Sequence, residues 1–199
     1  MKMNTNFVLL SQSVLDKLYG DIKNFRRLFD LPVEMPRAIT SKEDGLHTAL
    51  AVEELKELAL ANTHIDRLDA IVDTIYVMMG RAVQEGWISL RDNPGFYHAI
   101  DLLLQVGQSF DYDVLAAWDI IHQSNMSKVC DTIEIAELTY EHYQAMGIDT
   151  RIEWSEHGNK YLIKVAKEYT DDKDNLVRVG KVLKSVHYTP ADLTPLFKD

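Results

Sequence analysis

Three glutamates, Glu53, Glu54 and Glu57, fall within the stretch VEELKEL at residues 52–58. Three aspartates, Asp66, Asp69 and Asp73, punctuate the apolar run DRLDAIVDTIYVMMG at residues 66–80. Both stretches read as helix, with Leu50, Leu55 and Leu58 on the first and Leu68, Ile71, Val72 and Ile75 on the second. On a helix, Glu54 and Glu57 share a face, as do Glu53 and Glu57, and Asp69 and Asp73. The short connection at residues 61–64 predicts an antiparallel hairpin, so the two acidic sets can face each other. Carboxylates crowded into one gap repel unless a cation sits among them. A donor set made only of oxygen suits a hard divalent ion, Mg²⁺ first and Mn²⁺ as an alternative.

A blander origin exists for part of this pattern. Glutamate is a good helix former, and EExxE is common on solvated helix faces laced with lysines. Asp73 is different, because Val72, Thr74, Ile75 and Tyr76 surround it. A carboxylate drawn into such a run needs a partner or a metal, since burying it alone is costly.

The elements that must position these residues follow from the flanking sequence. Residues 1–10 read as a loose lead-in. Ser11 or Ser13 caps a helix to about residue 29, with Val14, Leu15, Leu18, Ile22 and Phe25 as its apolar stripe. Leu31-Pro32 ends it, and Pro32 and Pro36 hold an extended link to about Thr40. Ser41 followed by Asp44 gives a capping-box-like start to the first acidic helix. The second acidic helix continues to about Gly86. Asp92-Asn93-Pro94-Gly95 is a turn. Helices are then expected over 96–106, interrupted by Gly107, over 112–126 and over 132–146, the last stopped by Gly147.

After Gly147 the periodicity changes. Residues 151–154 and 161–165 are strand-like and flank Glu156-His157-Gly158-Asn159, a hairpin turn signal. Residues 181–184 and 186–188 are candidates to extend a small sheet. The expected fold is therefore mainly α: a helical catalytic domain at 1–147 and a small β-containing extension at 148–199.

With 46% hydrophobic and 26% charged residues, the 199-residue chain can bury a substantial core. A net charge of −10 argues against general affinity for nucleic acid or anionic membrane, so an anionic substrate would need local cations. The one cysteine, Cys130, excludes an intramolecular disulfide and a zinc-finger arrangement, and reads as an inert packing residue. No signal peptide and no membrane span are visible, which gives a cytoplasmic expectation.

The order of motifs resembles the all-α nucleoside triphosphate pyrophosphatases, the MazG-like group that includes phosphoribosyl-ATP pyrophosphohydrolase, and in particular its phage-type members, which would place the protein in a host cytoplasm. Glu53-Glu54-Leu55-Lys56-Glu57 resembles the EExxE motif, and residues 69–76 (DAIVDTIY) resemble the second metal motif. Ser124-Asn125-Met126-Ser127-Lys128 is similar to a phosphate- and sugar-binding segment. Gly180-Lys181-Val182-Leu183-Lys184, followed by Tyr188, Pro190 and Asp192, is similar to the end of the same members. One position departs: many members carry a glutamate where Ala70 stands, and Asp69 is the acidic residue available to replace it.

The resemblance implies a helical bundle that hydrolyses a (deoxy)nucleoside triphosphate to monophosphate and pyrophosphate. It implies Mg²⁺ held by Glu54, Glu57, Asp73 and Asp69, with Glu53 orienting or deprotonating the water. Asn125, Lys128, Lys181 and Lys184 would contact the nucleotide. It also implies a homodimer or homotetramer. The rival reading is a non-catalytic helical oligomerisation or regulatory protein that kept the fold, and Ala70 is the feature that favours it. His47 and His122 read as core-edge or surface histidines. Tyr76 and Trp118 read as core aromatics before base-stacking ones.

Overall fold

A computed structural model describes residues 6–171 and 176–197. Its element order is α1 (Gln12–Leu28), α2 (Ser41–Leu60), α3 (His64–Glu85), α4 (Pro94–Ser109), α5 (Val114–Met126) and α6 (Ile133–Ala145), then β1 (Thr150–Ser155), β2 (Lys160–Val165), β3 (Tyr169–Thr170), β4 (Leu176–Val177) and β5 (Val182–Leu183), and a final 3₁₀ turn at Thr194–Phe197. The fold is mainly α with a small antiparallel sheet near the C-terminus, as the sequence predicts. Two compact units divide the chain. One comprises residues 1–26, 32–121 and 192–199, the other residues 27–31 and 122–191.

In the first unit the apolar stripes do what their 3.6-residue spacing requires. Leu15, Leu18 and Ile22 of α1 are buried, together with Leu68, Ile71, Val72, Ile75 and Met79 of α3 and Tyr97, Ile100 and Leu104 of α4. Trp118 of α5 is also fully buried; its ring centroid lies 5.1 Å from that of Tyr76, and its Nε1–H donates to Asp21 at 2.9 Å. Both aromatics are therefore core residues. Gly107 does not break α4. A Cβ there would meet Val114 Cγ2 at 2.3 Å, so the glycine serves close packing inside the helix.

Residues 1–5 of the expected lead-in lie outside the described residues. Residues 8–10 are tied down, contrary to the expectation of a loose segment. The backbone N–H groups of Val8, Leu9 and Leu10 donate to the Asp101 carboxylate at 3.0, 2.7 and 2.7 Å, and Leu10 is fully buried. Burial opposes ionisation of Asp101, but these amides and Gln105 outweigh it and hold the carboxyl below its ordinary range.

In the second unit β2 lies between β1 and β5, antiparallel to both, with Thr150 opposite Val165 and Ile163 opposite Leu183. Residues 186–188, a candidate strand, form no strand; β3 and β4 pair instead as a short hairpin. Gly158 in the β1–β2 turn allows a close approach, since a Cβ there would meet the Leu28 carbonyl oxygen at 2.8 Å. The core of this unit joins Cys130, Ala136, Ile163, Val165, Val177 and Leu183. Cys130 is a free, fully buried thiol that packs.

Candidate active site

The acidic helices are set by caps. Thr40, one residue before the expected Ser41, caps α2: its hydroxyl accepts from the Glu43 N–H at 3.3 Å, and Glu43 returns a bond to the Thr40 N–H at 2.7 Å. The Arg37 guanidinium, 2.9 Å from Glu43, joins these bonds in holding the Glu43 carboxyl well below its usual range. Thr63 caps α3 by accepting from the Asp66 N–H at 3.0 Å. With only residues 61–63 between them, α2 and α3 run antiparallel. The register is pinned at the far end, where Arg81 pairs with Asp44 at 2.6 Å and His47 Nε2 lies 3.1 Å from Gln84 Oε1.

This register brings the middle of α2 beside the first half of α3. Asp69 and Asp73 are half-buried on α3, between the buried Leu68, Ala70, Val72 and Thr74. Glu54 is half-buried on α2, and Glu53 and Glu57 are exposed. Burial first, then the charges of Asp73, Glu57, Glu53 and Asp69, push the Glu54 carboxyl up to about 7. Burial, then Glu57 and Asp66, raise Asp69 as well. The expected acidic residues of both helices thus share one electrostatic neighbourhood, with Glu54 at its centre.

Their all-oxygen chemistry fits a hard divalent cation. Among the described residues, however, no three acidic, histidine or cysteine side chains converge closely enough to grip one as they stand.

The residues expected to contact the nucleotide belong to the second unit. Lys128 Nζ donates to Asn125 Oδ1 at 2.6 Å, and the Lys128 carbonyl accepts from the Ser185 N–H at 3.0 Å. Ser124 Oγ donates to the Tyr188 hydroxyl at 3.0 Å, and Lys184 Nζ sits 4.4 Å from the Tyr188 ring centroid. The segment 124–128 and the chain around 184–189 therefore form one cluster. Lys181 stays exposed ahead of β5.

Sequence reasoning missed a polar chain at the other end of α2 and α3. His47 is the one buried residue of α2, at 9% exposure. The buried Arg26 donates through Nη2 to Gln84 Oε1 at 2.8 Å, and Gln84 Nε2 donates to Glu43 at 3.0 Å. The Gln84 oxygen is thereby fixed as an acceptor, so His47 Nε2 carries the proton and Nδ1 is a bare lone pair. Burial lowers the His47 pKa and keeps the ring neutral. A largely apolar cavity of ≈ 390 Å³ lies between α2, α3 and α4, lined by His47, Thr74, Met78, Arg81, Phe96 and Leu103 among others. The signal available in the sequence was the spacing of His47, seven residues before Glu54 and hence on nearly the same helix face.

The acidic residues of α2 and α3 thus lie on a helical hairpin whose two N-termini are capped by Thr40 and Thr63. Residues 22–92, which hold the C-terminal part of α1 and all of α2 and α3, match the family model of phosphoribosyl-ATP pyrophosphohydrolase. That stretch is thus similar to a family of the MazG-like all-α nucleoside triphosphate pyrophosphatase superfamily. No curated protein and no solved structure gives a significant match.

Proposed function

We propose that the protein hydrolyses a (deoxy)nucleoside triphosphate between the α- and β-phosphates, releasing monophosphate and pyrophosphate. The observation that carries this reading is Glu54: a half-buried carboxyl, raised to about 7 by burial and four surrounding carboxylates, within the stretch that matches the family. Such a group is stable at neutral pH only with a compensating cation or a retained proton.

Glu54, Glu57, Asp73 and Asp69 would hold Mg²⁺, Asp69 standing in for the glutamate absent at Ala70. Bound there, the cation offsets phosphate charge and lowers the pKa of an attacking water. Glu53, exposed beside Glu54, accepts the proton as the water oxygen bonds to phosphorus and the anhydride bond breaks toward pyrophosphate. Asn125 and Lys128 supply an amide and an ammonium suited to sugar and phosphate, with Lys181 and Lys184 as further cations.

We further infer a homo-oligomer, dimer or tetramer. In the protomer α2 buries only His47, while Leu46, Val52, Leu55 and Leu60 are exposed, and so are Leu102 and Val106 of α4. A 20-residue helix held so lightly gains most from packing on a second copy. The expected inward stripe of Leu50, Leu55 and Leu58 lies half-exposed or exposed for the same reason.

The experiment is pyrophosphate release from a panel of ribo- and deoxyribonucleoside triphosphates, with Mg²⁺ and with chelator. Mg²⁺-dependent release from at least one substrate supports the reading. No release from any of them favours the non-catalytic alternative, which the buried alanine at position 70 supports.

A further inference from the structure

β1 forms one margin of the three-stranded sheet, with β2 as its neighbour on one side only. The direction of its backbone groups follows from the far side of β2. Tyr161 exchanges both backbone bonds with Cys130, at 2.8 and 2.9 Å, and Val165 spends its N–H on Lys181 and its carbonyl on Gly180. Residues directly opposite in an antiparallel pair either both face each other or both face away. Tyr161, Ile163 and Val165 therefore turn away from β1, and the residues opposite them, Trp154, Ile152 and Thr150, turn away from β2. Among the described residues, nothing bonds the N–H or carbonyl groups of these three.

Sheets usually blunt such a margin with proline, a bulge, lysines or a very short strand. The opposite margin is blunted in this way, since β5 has two residues. β1 has six, with neither proline nor glycine, and its register on β2 is unbroken over six pairs. Its charges are also of both signs. Arg151 and Glu153 lie two apart and so share one face of the strand. Arg151 Nε and Lys164 Nζ each lie 2.5 Å from the Glu153 carboxylate, which thus holds two cations. On the other face Trp154 is 47% exposed, although its ring meets that of Tyr161 edge-on at 4.7 Å between centroids.

We propose that β1 pairs antiparallel with β1 of a second copy of this chain, joining two three-stranded sheets across a twofold axis at Ile152. This interface lies wholly in the second unit and is separate from the helical contact inferred above, which involves α2 and α4 of the first.

The sequence of β1 selects that register. Outward-facing residues must meet outward-facing residues for their backbone groups to bond. An axis at Arg151 would set two guanidinium groups directly opposite, and an axis at Glu153 would set two carboxylates opposite; both arrangements repel. An axis at Ile152 instead sets Arg151 opposite Glu153 of the second copy, and does so twice. These are non-hydrogen-bonded positions, where facing Cα atoms are about 4.5 Å apart and side chains come closest. The same register lets Ile152 bond its own copy and Trp154 bond Thr150 of the second copy, so each outward residue finds a backbone partner. Lys164 remains to hold Glu153 within its own sheet.

The test compares the full chain with its Arg151→Glu and Glu153→Arg variants. Each substitution gives the outer face of β1 two charges of one sign, so each variant repels its own copy. An equimolar mixture of the two restores opposite charges at both positions. Light scattering at matched micromolar concentration should show each variant at half the wild-type mass or less, and the mixture back at the wild-type mass. Amide exchange supplies a second readout: the N–H groups of Thr150, Ile152 and Trp154 should exchange about tenfold or more slowly in the wild type than in either variant.

Recovery on mixing is the decisive result, because charges that merely steady the sheet of one protomer would not produce it. Should Glu153→Arg fail to fold, Trp154→Pro, which deletes an outward N–H and no bond to β2, should likewise halve the mass. Variants at the wild-type mass, or a mixture no heavier than its components, would overturn the proposal. So would a wild type at protomer mass, which would leave the edge to an extended segment of another protein. None of these outcomes bears on triphosphate hydrolysis, and absence of hydrolysis would leave the strand pairing standing.

Discussion

Replacing Glu54 by glutamine removes one charge from the middle of the acidic hairpin while keeping the side chain's shape. The carboxyl is raised from the ordinary 4.5 to about 7, first by burial and then by Asp73, Glu57, Glu53 and Asp69. A tenfold change in proton affinity corresponds to about 1.4 kcal/mol, so the rise would correspond to about 3 kcal/mol if fully buried. Glu54 is only half-buried, and screening by water reduces this to on the order of 1–2 kcal/mol. The sign follows from linkage. A raised folded-state pKa means stability that is present below about 4.5 and is lost as pH rises through about 7. The metal-free wild type should therefore lose stability between pH 5 and 8, and Glu54→Gln should lose less of it.

At pH 8 in chelator the variant should melt about 2–8 °C above the wild type, and near pH 4.5 the two should coincide. Mg²⁺ should raise the wild-type melting temperature, because a ligand stabilises only through affinity for the folded state. It should do so much less for Glu54→Gln, which should also be inactive. The assay is a set of thermal melts at two pH values, with Mg²⁺ and with chelator. A variant that is no more stable at pH 8, yet shows the full Mg²⁺ shift, would refute both the electrostatic argument and the metal site.

Asp69→Asn should reduce turnover by on the order of 10² and raise the Mg²⁺ requirement if Asp69 replaces the acid absent at Ala70; near-normal kinetics would assign it to the scaffold. Asp101→Asn weakens the acceptor for three backbone amides and should destabilise the protein by about 1–3 kcal/mol in urea unfolding. Its sign with pH is opposite to that of Glu54: the lowered Asp101 pKa is stability present above the unfolded value and lost in acid, so the gap to the variant should close as pH falls. Light scattering at micromolar concentration should show a species larger than 22.8 kDa, and a protomer alone would remove the oligomer.

Helix type and order were legible because long amphipathic stripes such as Leu15, Leu18 and Ile22 admit one period. So were the acidic residues of α2 and α3, since i, i+3 and i, i+4 spacing fixes a helix face before any tertiary contact is known. Short-range competition was less legible. Thr40 displaced Ser41 as the cap because Glu43, braced by Arg37, completes a box only with Thr40. Gly107, read as an interruption, stays helical because Val114 needs the space. The β3–β4 hairpin has two-residue strands, too short for alternation to register. His47 was read as a core-edge or surface residue; its burial and its lone pair depend on Gln84 and Arg26, which are 37 and 58 residues apart from their partners along the chain.

The Asp101 clasp also separates two kinds of order that usually travel together. Residues 8–10 belong to no helix or strand, yet their amides converge on one carboxylate and Leu10 is sealed in the core. Their order is invisible to circular dichroism and conspicuous to a protease or to amide exchange. A lesion at Asp101 would free that stretch while leaving the helical spectrum intact, so a sample judged native by its spectrum could already be open to cleavage near Phe7.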